Sequence, residues 1–115
     1  MIVHVILYKP KTDVPDRARQ EILEGLATAA TTIPSIRRLR VGRRVKHGRP
    51  GYEQAMQTDF EYAVIAEFDD VDGLLAYLSH PAHGAIGGHF TTSSADALAY
   101  DYELIDLTAV DPQQT

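Results

Sequence analysis

The sequence contains no cysteine, which excludes disulfides, thiolate nucleophiles and cysteine-ligated metal or cluster sites together and leaves the redox compartment open. It has no apolar run near the roughly 20 residues that span a bilayer, so no membrane association is expected. The apolar stretch Ile2 to Tyr8, with His4 inside it, follows Met1 directly. Neither the basic stretch nor the small-residue cleavage site of a secretory signal is present, which points to a soluble, cytoplasmic protein. Positive charge is also short, with 11 Lys and Arg against 16 Asp and Glu and a net charge of -5. That balance repels a nucleic-acid backbone at long range. Arg37, Arg38, Arg40, Arg43, Arg44 and Lys46 crowd into one stretch, but it lacks the interleaved aromatics of single-strand binders and the spacing of a recognition helix. It reads as a solvated sheet edge paired with the acidic surplus, and no nucleic-acid partner is expected.

What is present suits one small packed domain. The 115 residues are 44% hydrophobic and 23% charged, an ordinary globular balance, and a chain of this length buries roughly two-thirds of its unfolded surface. Residues 1–110 form the expected domain, with 111–115 a frayed tail. Ile2 to Lys9 is β-branched and apolar on both faces and closes at Pro10, the pattern of a buried strand. Ala18, Ile22, Leu26 and Ile33 recur at helical spacing after Asp13 and Asp16, which stand at cap spacing around Pro15; Pro34 ends the run. Gly25 inside that helix costs roughly 1 kcal/mol relative to Ala, which core packing must offset.

Ile36 to Lys46 reads as a second strand near a sheet edge, and His47 to Asp59, with Gly48, Pro50 and Gly51, as a long mobile loop. Phe60 to Phe68 is the clearest strand, its Phe60, Tyr62, Val64, Ala66 and Phe68 sharing one face. Asp69 or Asp70 can cap a helix through Leu78 that Pro81 breaks. A short irregular helix from Ala82 to about Phe90 and a strand from Ala97 to Leu107 complete the chain. The order strand, helix, strand, strand, broken helix, strand is the split βαβ arrangement of an α+β ferredoxin-like domain with a four-stranded antiparallel sheet. Helices cover one face of such a sheet, yet Val3, Val5, Leu7, Ala63 and Ile65 make much of the other apolar. The same face of a second copy is the lowest-cost cover, so a homodimer joined through its sheet faces into an α/β barrel is expected.

Three pieces of sequence carry a family resemblance: the opening strand His4 to Lys9, the helix end Ile33-Pro34, and Leu74 to His83 with its Tyr77-Leu-Ser-His80-Pro81-Ala82-His83 core. Together they resemble the stress-responsive dimeric A/B barrel family. The resemblance implies a ferredoxin-like fold and a barrel homodimer. Through the olivetolic acid cyclase-type members, which fold a linear poly-β-ketone and close it by aldol condensation with no cofactor, it also implies a site. Tyr77 and His83 match their catalytic tyrosine and histidine, and His4 a further pocket histidine. Ile22, Leu23 and Leu26 stand where that pocket carries aromatic residues, and Tyr62 where it has a histidine on the third strand.

The chemistry fits those residue types. A histidine titrating near 6.5 is a natural base at neutral pH, and a tyrosine near 10 stays protonated and donates to a developing enolate oxygen. Tyr77 and His83 are the expected catalytic pair, with His4, Ile6, Tyr8, Leu26, Tyr62, Val64 and His80 around a hydrophobic carbonyl ligand between sheet and helices. A plain packing reading competes: Tyr77 as a half-buried aromatic, His83 as a cap at the helix break, His4 as a hydrogen-bonded core histidine. The functional alternatives are a non-catalytic stress-response structural or interaction protein and a cofactor-free monooxygenase acting on aromatic substrates. No metal is expected, because Pro81 interrupts regular helix within His80-x-x-His83 and no carboxylate pattern completes a site. Gly84, Gly87 and Gly88 lack the surroundings of a phosphate loop and read instead as positions for close packing or a mobile lid.

Overall fold

The computed structural model describes residues 1–108. The expected frayed tail, 111–115, lies outside the described residues. Strand β1 runs Ile2–Pro10, helix α1 Asp16–Thr32, β2 Arg38–Arg43, β3 Tyr62–Phe68, α2 Val71–Ser79, α3 Pro81–Ser93 and β4 Ser94–Glu103. The four strands form one antiparallel sheet in the order β2-β3-β1-β4, the ferredoxin-like arrangement, with all three helices on one face.

Register divides β1 between two environments. Ile2, His4, Ile6 and Tyr8 stand opposite Phe68, Ala66, Val64 and Tyr62 of β3, and these positions look toward the helices. There Tyr8, Val64, Ala66 and Phe68 join Ile22, Leu26, Ala29, Ile33, Leu74, Tyr77, Ile86 and Phe90 in the core. Gly25 is the point of close approach between helices. A Cβ there would lie 3.3 Å from the Ile86 side chain, so the glycine lets α1 and α3 pack together, which offsets its helix-propensity cost.

Among the described residues no helix covers the other face. Val5, Leu7 and Ile65 are half-buried there, and Tyr100 and Tyr102 of β4, opposite Val5 and Val3, are 54% and 53% exposed.

Several helix ends differ from the sequence expectation. Pro15 stands at the start of α1 with no side-chain cap, and Asp16 is its first helical residue, where its charge favours the positive end of the helix dipole. Asp70 caps α2 by accepting from Gly73 N at 2.8 Å, while Asp69 accepts from Arg37 Nε at 2.7 Å. After Pro81 there is no irregular piece but a regular 13-residue helix. Pro81 begins α3, where its missing N–H and fixed φ cost nothing, and His80 Nδ1 accepts from Ala82 N at 3.1 Å. A Cβ on Gly84, Gly87 or Gly88 would meet nothing within 4 Å, so these glycines serve no close packing.

The basic stretch is shorter as a strand than expected and is held by carboxylates. Arg40 reaches Glu67, and Arg44 and Lys46 share Asp59. The His47–Asp59 segment, expected as a mobile loop, turns at Gly48 and Gly51, both at φ 77°, and contains a short 3-10 turn over Glu53–Ala55. The His47 and Tyr52 rings lie 4.4 Å apart across it.

Candidate functional site

Four polar side chains gather at the His4 end of the helix-covered face. His4 comes from the start of β1, Tyr77 from the last turn of α2, His83 from the first turn of α3, and Asp101 from β4 directly opposite His4. Tyr77 is the hub: its ring centroid lies 5.6 Å from that of His4 and 4.7 Å from that of His83, both edge-on. His4 Nδ1 and Asp101 Oδ1 are 2.5 Å apart. A carboxylate only accepts, so the imidazole Nδ1 carries the N–H that donates to Asp101. His4 Nε2 and the Tyr77 hydroxyl are both buried without a hydrogen-bond partner among the described residues. Native interiors rarely tolerate such groups unpaired.

Electrostatics separate Tyr77 from His83. Burial, reinforced by the Asp101 charge, raises the Tyr77 hydroxyl above its usual 10.0, so it is a proton donor at neutral pH. Burial, reinforced by His4, holds the His83 imidazole below 6.5 against an opposing hydrogen bond to the Leu78 backbone. The neutral ring is therefore its resting form. His83 and Asp101 form the wetter side of the cluster: His83 is half-buried and the Asp101 side chain 41% exposed, against 5% for His4.

An apolar cleft of about 300 Å³ lies between the sheet and α1 and α3, at the Tyr8 end of the same face. Tyr8, Leu26, Tyr62 and Val64 line it, as do Ile22, Leu23 and Phe90, joined by Arg19 and Arg43. His4, Tyr77, His80 and His83 do not. His4 and Tyr8 are four residues apart on one strand face, about 13 Å at roughly 3.3 Å per residue, with Ile6 between them. The expected residues thus separate into a polar cluster and an apolar cleft. Ile6 and His80 belong to neither, Ile6 lying between the two and His80 being tied to the start of α3. Ser93 Oγ donates to the His89 carbonyl at 2.6 Å, so its one proton is spent. Tyr8 must then donate in the 2.7 Å bond between the Tyr8 hydroxyl and Ser93 Oγ.

Among the described residues no group of three or more His, Asp or Glu side chains is arranged to hold a metal ion. No helix among these residues is long and apolar enough to cross a membrane.

The model of the stress-responsive A/B barrel domain matches residues 2–104. The chain belongs to that family. Solved structures agree on the fold. A protein from Arabidopsis thaliana is 21% identical, with 93% of this chain and 98% of that one covered at a TM-score of 0.77. A dimeric ferredoxin-like protein of unknown function from Thermobifida fusca is 24% identical over 90% of each chain, with a TM-score of 0.71. A hydroxynitrile lyase from Passiflora edulis is 14% identical, covering 91% of this chain and 94% of its own, with a TM-score of 0.76. Several of the similar structures are described as dimeric. No curated protein matches the chain.

Within this A/B barrel domain, sequence reasoning missed Asp101, Arg19 and Arg43. Asp101 had one signal: a charge on the strand face it shares with Ala99, opposite an apolar row. Its role rests on a pairing across 97 residues, which periodicity within one strand does not reveal.

Proposed function

We propose that this A/B barrel protein is a small-molecule-binding homodimer that performs cofactor-independent acid–base chemistry beside a carbonyl, of the kind that closes a polyketide-like chain by aldol condensation. The observation that carries this reading is the pair of unpartnered buried atoms, His4 Nε2 and Tyr77 OH, in one cluster with a histidine held neutral. Neutral His83 takes a proton from the carbon next to a carbonyl, and the enolate oxygen that develops accepts from the Tyr77 hydroxyl. The enolate carbon attacks a second carbonyl of the same molecule, a C–C bond forms, and the new alkoxide recovers the proton from His83. Asp101 fixes the His4 ring, which orients the group bound between it and Tyr77. The apolar cleft on the same sheet face suits the hydrophobic part of such a molecule.

The homodimer reading is supported by the helix-free face, where Val5, Leu7, Ile65, Tyr100 and Tyr102 leave a broad apolar surface, and by the dimeric relatives. The chain exposes 7947 Å², where a folded monomer of its mass exposes roughly 6,200 Å².

The test is incubation with linear poly-β-ketone thioester analogues, cyclised product being followed by absorbance and mass. His83→Ala is expected to abolish turnover while light scattering still gives the mass of a dimer. A His83→Ala protein with full activity would sink the assignment.

A further inference from the structure

The cleft holds two cations that its apolar walls do not explain. Arg19, from the first turns of α1, is half-buried, and its Nε atom is shut off from solvent with no hydrogen-bond partner among the described residues. A guanidinium presents five donors in a fixed fork and stays charged at every relevant pH, which suits bidentate recognition of a carboxylate. Arg43 closes β2 opposite Tyr62, on the helix-facing side, and lines the same cleft. Neither arginine enters an ion pair among the described residues, whereas Arg37, Arg40, Arg44 and Lys46 on the same stretch are each paired with a carboxylate. Two acids are near: Asp59 and Glu61 line a neighbouring depression together with Arg43. Asp59 is already taken by Arg44 and Lys46, so the local balance stays cationic in a chain whose net charge is -5.

We infer that the cleft recognises an apolar molecule ending in a carboxylate, with its hydrocarbon body against Ile22, Leu26, Val64 and Phe90 and its carboxylate held by Arg19 and Arg43. The inference goes beyond the proposed chemistry at the His4 end, because it concerns binding alone.

Calorimetric titration of the full-length wild-type protein with sodium decanoate, 1-decanol and decyltrimethylammonium separates charge from apolar area, since the three share one chain length. Decanoate is expected to bind at least tenfold more tightly than decanol, and the cation not to bind. Arg19→Gln and Arg43→Gln should each weaken decanoate several-fold, and the double variant should bind decanoate and decanol alike, with melting temperatures showing that each variant is folded. His83→Ala should leave decanoate affinity unchanged, so failure of the catalytic reading is distinguishable from failure of this one. Equal affinity of decanoate and decanol for the wild type, or a folded double variant that retains the preference, overturns the inference.

Discussion

The two ends of the helix-covered sheet face solve opposite problems with the same kind of residue. At the Tyr8 end the tyrosine hydroxyl has a partner and the space beside it is open. Tyr8 donates to Ser93, and an apolar cleft of about 300 Å³ adjoins it. At the His4 end the tyrosine is fully buried, yet its hydroxyl has no partner among the described residues. A satisfied hydroxyl contributes to stability; an orphaned one costs stability and is retained for another reason. Under the proposed function, the contrast gives binding of apolar surface to one end and acid–base chemistry to the other.

The comparison is sharpened first by Leu26→Ala, which empties a side chain only 3% exposed in the core beside the cleft. A loss of about 2–5 kcal/mol is expected in urea denaturation, together with a larger cleft. A loss below about 1 kcal/mol would mean that the helices collapse onto the space and that the cleft is not rigidly built.

The paired substitutions Tyr77→Phe and Tyr8→Phe should move in opposite directions. Removing the orphaned Tyr77 hydroxyl lifts a burial cost, so the variant should be more stable by about 1–3 kcal/mol, whereas Tyr8→Phe breaks a made bond and should lose about 1 kcal/mol. Equal destabilisation by both would remove the distinction between the two ends.

The smallest effect is that of pH, and it belongs to the His4 end. The folded-state pKa of His83 is depressed, so as pH falls below about 6.5 the unfolded chain takes up its proton first and stability declines. The folded-state pKa of Tyr77 is raised, so above about pH 10 the unfolded chain loses its proton first and stability declines again. Chemical denaturation across pH 5–11 should show both slopes, the acid one flattened in His83→Ala and the alkaline one in Tyr77→Phe. Unchanged slopes in these variants would place the titrating groups elsewhere.

The fold was legible because its signals are local. The period-2 faces of Ile2–Lys9 and Phe60–Phe68, the helical spacing through Ile22 and Leu26, and the uncovered row Val3, Val5 and Leu7 each follow from the pattern within one element. The break at Pro81 is legible as a break, but proline at a helix start and proline ending one look alike in sequence, so the helix after it is expected to be short and irregular where α3 is regular and 13 residues long. The site was half legible. The residue types at 4, 77 and 83 announced acid–base chemistry, but the division between cluster and cleft depends on which helix covers which strand segment. The roles of Asp101, Arg19 and Arg43 depend likewise on contacts between distant elements.

The central claim is that the His4 cluster moves protons beside a carbonyl. Hydrogen–deuterium exchange at the α-carbon of a hydrophobic ketone, followed by proton NMR in D2O near neutral pH, tests it without knowledge of the natural substrate. The wild type should accelerate exchange well above buffer, His83→Ala should return it to the buffer rate, and Tyr77→Phe should fall between while remaining folded. Exchange at the buffer rate with wild-type protein across a panel of ketones, or acceleration that survives His83→Ala, would contradict the account.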